Sequence, residues 1–394
     1  MIKEYYEFSN QVKVATGEIG FEWGSSRLHR MGGNDVFLLT DSNLKELGIV
    51  DQFVKEFIDK SDLRLGKTEI IDIQIPTTDD IDKIYISFRQ SGCDCIVALG
   101  GSRVINAAKC LNLLLQTNSR DIKQFTGIDC AIKQKTIPFG VVPTTFGTGK
   151  EVSKTALVIS SETKTPLEIV SEVLQPDFCI INSVFLKTLP QKEIYLSVIN
   201  SLVYNVESYI SKRTNILVQS FVKMSMFVIK TNFQKALTEK NEEALYALHR
   251  ASALAGIANS NTYIGLVHTI ANVISGKYGI RSIYVMLAVL NSCLEYLKDT
   301  AKDSYSQMLL YSLGAKEYAS LDKETRMEAF LNMFNNMVNF IGKEFDIKLK
   351  LSDYGLTKED IVEVAQVIER EGSLVTIPKK ITKEDIINIL EKSL

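Results

Sequence analysis

The sequence predicts an α/β domain built on a parallel sheet, followed by an all-helical domain, and three observations predict it. Two apolar runs end in glycine-bearing turns that lead into new segments. Strand and helix patterns alternate as far as about residue 187. From about 188 onward the strand pattern stops, and apolar residues keep a 3.6-residue spacing to the end of the chain.

Residues 1 to about 34 are of mixed polarity with a glycine-rich lead at Gly17, Gly20 and Gly24. Asp35-Val36-Phe37-Leu38-Leu39 is a buried-type strand that ends at Thr40-Asp41. Residues 51–61 carry a helical pattern (Phe53, Val54, Phe57, Ile58), Glu69–Ile73 reads as a strand, and Ile81–Ser91 as a helix. Strands near Ile137–Val142, Ala156–Ser160 and Phe178–Ile181 complete a domain over 1–187. The domain over 188–394 has helical stretches at 191–212, 214–238, 241–260, 264–275, 281–300, 303–319 and 322–346. Two short closing helices follow, each with a carboxylate three residues after a threonine N-cap: Thr357 with Asp360, and Thr382 with Asp385.

Composition narrows the function classes. A chain of 394 residues fits two domains of roughly 100–200 residues each. A net charge of −2 gives no field that would draw nucleic acid or an anionic membrane. The N-terminus lacks a cleavable apolar segment, and no apolar run is long enough to span a bilayer. The six cysteines are scattered, and Cys93-Asp94-Cys95 is too closely spaced for a standard zinc pair. A reduced, cytoplasmic protein is expected, with a homodimer as the plain default.

The chemistry concentrates in two stretches. Cys95-Ile96-Val97-Ala98-Leu99 runs into Gly100-Gly101-Ser102-Arg103 and then into helix-forming Val104 to Lys109. Backbone N–H groups at such a helix start bind anions, most often phosphate; on this stretch alone a tight turn with no ligand is equally open. Gly140-Val141-Val142-Pro143 then leads into Thr144-Thr145-Phe146-Gly147-Thr148-Gly149-Lys150-Glu151, where hydroxyls and glycines allow close approach of a ligand. Two such loops after two strands of one sheet suit a dinucleotide. A carboxylate ending an early strand suits a ribose 2′-hydroxyl, so Asp41 either contacts the cofactor and favours NAD over NADP, or caps the helix before Leu44.

Gly100-Gly101-x-x-x-x-Asn106-x-Ala108-Lys109 resembles the GGGSxxDxAK signature of the iron-containing (group III) alcohol dehydrogenases, and Pro143 to Glu151 resembles that family's PTTxGTGSE. Pro176-Asp177, Leu189-Pro190, Glu207-Ser208-Tyr209, Ala255-Gly256-Ile257-Ala258 and Gly265-Leu266-Val267-His268 follow in the family's order. The resemblance covers nearly the whole chain. It implies a Rossmann-like nucleotide-binding domain, as in the dehydroquinate synthase-like fold, then a helical domain with the active site in the cleft between them. It further implies a cofactor, NAD or NADP, held by Asp41, Gly100, Gly101, Ser102, Arg103, Asn106, Thr144, Thr145, Thr148 and Lys164.

The family holds Fe²⁺ or Zn²⁺ with one Asp and three His, and the metal polarises the reacting oxygen. Carried over one at a time, those positions fall on Asn200, Tyr204, His268 and Arg281, with Asn272 at the second His of the second pair. The chain has only three histidines, His29, His249 and His268. An imidazole, an amide, a phenol and a guanidinium are a poor ligand set, so no metal is expected. His268 is open between an interior and a functional role. The family's third Gly is Ser102, its Ser is Arg103, its Asp is Asn106, and the Ser of the second loop is Lys150.

Arg103, Lys150 and Arg281 add positive charge, which points to a small anionic substrate. One reading is a metal-independent, NAD(P)-dependent reductase of an anionic aldehyde or ketone. In it Arg281 or Lys150 stabilises the alkoxide and Tyr204 donates the proton. The maleylacetate reductases of the wider family look similar in working without metal. The other reading is a non-catalytic relative that keeps the fold and serves as sensor or partner subunit. Dehydroquinate synthase and glycerol-1-phosphate dehydrogenase share the fold but rely on the same metal corner.

Overall fold

The computed structural model describes residues 5–17, 19–131, 136–238 and 241–394. The chain divides into two compact units: Asn10–Leu189 with Lys240–Ala253, and Pro190–Glu239 and Leu254–Leu394 with Met1–Ser9.

The first unit runs β1 (Lys13–Thr16), α1 (Gly20–Arg30), β2 (Asp35–Thr40), α2 (Ser42–Glu46) and α3 (Ile49–Phe53), the last continued by a π turn over Val54–Ile58. Then come β3 (Arg64–Ile70), α4 (Thr78–Ser91), β4 (Cys95–Gly100), α5 (Ser102–Thr117), β5 (Gly127–Ile128), β6 (Phe139–Pro143), β7 (Thr155–Ile159), β8 (Pro166–Val170) and β9 (Phe178–Ile181). The main sheet has the order β1-β9-β6-β4-β2-β3, and every pairing in it is parallel. A small second sheet, β5-β8-β7, includes an antiparallel hairpin between β7 and β8.

Period-two alternation divides the main sheet's side chains between two cores. Phe37, Leu39, Ile96, Ala98, Phe139 and Val141 pack with α4 and α5, through Ile81, Phe88, Val104 and Leu111. Val36, Leu38, Val97, Leu99, Phe178 and Ile180 pack on the other face with Phe21, Leu28, Phe53 and Phe57. A strand covered on both faces reads as an unbroken apolar run, which is why β2, β4, β6 and β9 are legible in the sequence.

The order of strands fixes where a ligand can sit. From β2 the chain moves outward to β3, then returns to the other side of β2 as β4 and continues to β6. The direction of winding therefore reverses between β2 and β4, and the crevice beyond the carboxyl ends at such a point is where open α/β sheets bind ligands.

Several elements differ from expectation. The strand expected at 69–73 is β3, which ends at Ile70; it is an edge strand with a largely exposed face, so its apolar signal is weak. The glycine-rich lead contains a strand and a helix. Gly20 and Gly24 lie inside α1 because a Cβ on Gly24 would meet Ile180 Cδ1 at 2.4 Å, so here glycine permits close packing and does not break the helix. Gly140 is placed similarly, beside its register partner Phe178 on β9. A Cβ there would meet the Phe178 ring at 2.3 Å. Gly140→Ala is expected to cost roughly 1–3 kcal/mol by overpacking, read as a lowered urea midpoint; an unchanged midpoint would show that the ring has room to move.

The second unit holds α6 (Gln191–Ile210), α7 (Ile216–Thr238), the later part of α8 (Glu242–Thr262), α9 (Leu266–Tyr278), α10 (Ser282–Leu313), α11 (Ala315–Ala319), α12 (Arg326–Glu344), α13 (Lys358–Ile368) and α14 (Lys383–Glu391). The stretch expected at 281–300 and most of that at 303–319 form one long helix, α10, because no glycine or proline interrupts it before Gly314, beyond which the rest is α11. Both closing helices carry reciprocal capping boxes, Thr357 with Asp360 and Thr382 with Asp385, and Thr77 with Asp80 makes a third at α4. Among the described residues no helix is long and apolar enough to cross a membrane.

Candidate functional site

Three neighbouring strand ends carry most of the residues singled out for the cofactor. Asp41 follows β2, Gly100 ends β4 with Gly101 to Arg103 after it, and Thr144 to Gly149 follow β6. Gly101 is the N-cap of α5 and has no side-chain cap, so the first N–H groups of a 16-residue helix stay open to a ligand. A Cβ on Gly101 would meet Thr145 Oγ1 at 2.9 Å, so the two loops approach each other over bare backbone. The Thr144 N–H donates to the Gly100 carbonyl at 3.2 Å and ties the loops together. Gly147 and Gly149 have φ of +112° and +58°, the left-handed region that favours glycine. Ser102, Thr145 and Thr148 are half-buried here, and Thr144 is buried. One turn into α5, buried Asn106 has an Oδ1 with no hydrogen-bond partner among the described residues. A glycine cradle and an uncapped helix start fit a dinucleotide phosphate group, whereas the Asn106 Oδ1, an acceptor, would need a donor such as a hydroxyl.

Asp41 is buried, and both of its possible roles bear on the geometry. Its Oδ1 accepts the Leu44 N–H at 3.0 Å, so it does cap α2; its Oδ2 lies 3.8 Å from Arg103 Nη2. Lys164 is exposed on the turn between β7 and β8. Lys150 is buried and its Nζ donates to Thr155 Oγ1 at 2.7 Å; burial lowers its pKa. Next to it Lys109, fully buried, donates to the Ser153 carbonyl (2.7 Å), Ser153 Oγ (3.0 Å) and the Thr155 carbonyl (3.1 Å).

The helical unit brings together the positions of the resembled metal corner. Asn200 and Tyr204 lie four apart on α6 and His268 starts α9. His268 Nε2 lies 3.1 Å from Asn200 Oδ1, and the Tyr204 ring stacks on the imidazole at 3.9 Å with 18° between planes. His268 Nδ1 lies 2.7 Å from Glu207 Oε2. The same carboxylate accepts the backbone N–H groups of Gly265 (2.9 Å), Val267 (2.8 Å) and His268 (3.1 Å), and so caps α9 from a distance. Asn272 is half-buried one turn further along α9.

Arg281, at the N-cap of α10, is engaged elsewhere. Its Nη1 and Nη2 donate to the two carboxylate oxygens of Glu193 at 2.8 and 2.5 Å. That bidentate pair holds the guanidinium charged but neutralises it, so Arg281 is not the open cation expected for a developing alkoxide.

Glu193, which no motif includes, and Glu207, quoted only as part of the Glu207-Ser208-Tyr209 echo, are the neighbours to which the sequence reading gave no role. The signal for both was present: Glu193, Asn200, Tyr204 and Glu207 are spaced seven, four and three apart, which puts them on one stripe of α6. This stripe supplies the partners of both His268 and Arg281.

The donors do not fit Fe²⁺ or Zn²⁺. Both nitrogens of the one imidazole are engaged, and an amide oxygen, a phenol and a paired guanidinium are the other groups at the corresponding positions. Among the described residues no three His, Cys, Asp or Glu side chains gather as a metal group.

Comparison with known proteins agrees with the fold and the order of motifs. A family model described as "Iron-containing alcohol dehydrogenase" matches residues 13–183, and one described as "Fe-containing alcohol dehydrogenase family, C-terminal" matches 195–394. The chain is 23% identical over 376 residues to an NAD-dependent methanol dehydrogenase of Bacillus methanolicus, covering 94% of each. It is 22% identical over 383 residues to a sulfoacetaldehyde reductase of Bilophila wadsworthia, covering 96% of each. The solved structure of an alcohol dehydrogenase from Oenococcus oeni superposes with a TM-score of 0.88 at 22% identity, covering 99% of this chain and all of that one. With both halves matched in sequence and the whole chain matched in fold, this protein belongs to the iron-containing alcohol dehydrogenase family.

Proposed function

We propose that this member of a family of alcohol- and aldehyde-converting oxidoreductases is a metal-independent, NAD(P)-dependent reductase of a small anionic aldehyde or ketone. The observation that carries the reading is the cradle at the ends of β2, β4 and β6. Its glycines let the two loops approach closely, and they leave backbone N–H groups bare for a phosphate. The corner that would hold iron is filled by internal pairs, which supports chemistry without a metal.

When bound, the reduced nicotinamide supplies a hydride to the carbonyl carbon, and the carbonyl oxygen then needs a proton. Tyr204 supplies it, over an imidazole that Glu207 orients. Arg281 is paired with Glu193, and Lys150 is buried on Thr155 Oγ1 with its charge disfavoured by burial, so neither is an open cation here. The Bilophila relative's name, a sulfoacetaldehyde reductase, is in keeping with an anionic carbonyl substrate. The same reading has the protein working as a homodimer in the cytoplasm.

The test is a metal assay on purified protein, then turnover of anionic carbonyls with NADH and NADPH after chelator treatment. No stoichiometric iron or zinc, turnover that survives the chelator, and at least about a tenfold loss in Tyr204→Phe would support the proposal. Stoichiometric metal lost together with activity would overturn metal independence. Cofactor binding with no carbonyl turned over would favour the non-catalytic relative.

A further inference from the structure

Asp41 alone would favour NAD, because an open carboxylate accepts from a ribose 2′-hydroxyl and repels a 2′-phosphate. Its carboxylate is not open. Oδ1 is held by the Leu44 N–H at 3.0 Å, and Oδ2 faces Arg103 Nη2 at 3.8 Å. The Arg103 side chain is 41% exposed, and among the described residues no hydrogen bond engages its guanidinium. It rises from the first turn of α5, the helix that follows β4, beside the strand that ends in Asp41. A guanidinium fork with unused donors matches a phosphate in a way that a hydroxyl side chain does not. One further charge bears on the balance: exposed Asp72 accepts the Ser42 N–H and hydroxyl, both at 2.9 Å. Two carboxylates against one guanidinium argue for tolerance of a 2′-phosphate over a reversed preference.

We propose that Arg103 sets the choice of dinucleotide: by pairing with Asp41 it admits a 2′-phosphate, so the chain binds NADPH and NADH with comparable affinity. The proposal rests on the dinucleotide reading of the strand ends, and binding measured without turnover tests it. Calorimetric titration of the wild-type protein with NADPH and with NADH should give dissociation constants within about tenfold of each other. In Arg103→Ser the NADPH-to-NADH affinity ratio should fall about ten- to hundredfold, the weight of one charge-assisted contact. Arg103→Lys should keep part of it, and serves as the readout if the serine variant misfolds. Wild-type exclusion of NADPH by more than about a hundredfold would overturn the inference and leave the dinucleotide reading standing. Equal weakening of both cofactors in Arg103→Ser would overturn it too, by showing that Arg103 holds the shared pyrophosphate. Binding of neither cofactor to the wild type would overturn the dinucleotide reading and this inference with it.

Discussion

Replacing Glu207 with Ala is expected to destabilise the helical unit by roughly 3–5 kcal/mol, the usual cost of removing one partner from a buried charged network. One carboxylate serves four groups: the N–H groups of Gly265, Val267 and His268, and the imidazole Nδ1. The first N–H groups of a helix have no partner within it, and Gly265, the N-cap of α9, has no side chain to offer. Glu207 reaches them from α6, where its negative charge also meets the positive end of the helix dipole. Glycine at 265 is a condition of the arrangement, because a Cβ there would meet Glu207 Cγ and Cδ at 2.8 Å. The alanine variant leaves buried donors with no acceptor. At about 2–4 °C per kcal/mol for a unit of this size, the thermal midpoint should fall by roughly 6–20 °C. Glu207→Gln keeps one acceptor oxygen and should recover part of the loss. A loss below about 1 kcal/mol, near the worth of one neutral hydrogen bond, would mean that water replaces the carboxylate and that the network does not hold α9.

What could be read from the sequence divides along physical lines. Strands buried on both faces leave an uninterrupted apolar run, so β2, β4, β6 and β9 are visible. Edge strands such as β1 and β3 keep polar exposed residues and lose that signal. The two glycine loops are legible because backbone geometry demands glycine at fixed offsets from a strand. The helical corner is legible only by position. The resemblance suggests which residues stand at the ligand positions, but whether Arg281 is open or paired depends on Glu193, 88 positions away. Counting positive charges therefore overstated the positive field of the site. The stripe from Glu193 to Glu207 on α6 was the readable clue, since its spacing places acids beside the former ligand positions whatever the loops do.

Replacing Glu151 with Gln is expected to stabilise the protein near pH 8 by about 3 kcal/mol at most, and to remove part of its pH dependence. Glu151 is 1% exposed, and its Oε1 has no hydrogen-bond partner among the described residues. Burial pushes its carboxyl up from an ordinary 4.5 to about 7. A backbone hydrogen bond and the charge of Lys109 pull the other way, but the Lys109 ammonium is already hydrogen-bonded to Ser153 and Thr155. With the folded value above the unfolded one, the folded chain holds a proton between about 4.5 and 7 that the unfolded chain has released. Glu151 therefore contributes most to stability below about 4.5, and that contribution is lost as pH rises through about 7. Glutamine is neutral throughout, so the difference between wild-type and variant urea midpoints should widen from pH 5 to pH 8 while other groups cancel. A difference that stays flat, or a variant less stable at every pH, would show that Glu151 is ionised and paired in the folded state. Glu151 closes the loop that begins at Pro143, and a neutral residue of the same shape would serve packing there better.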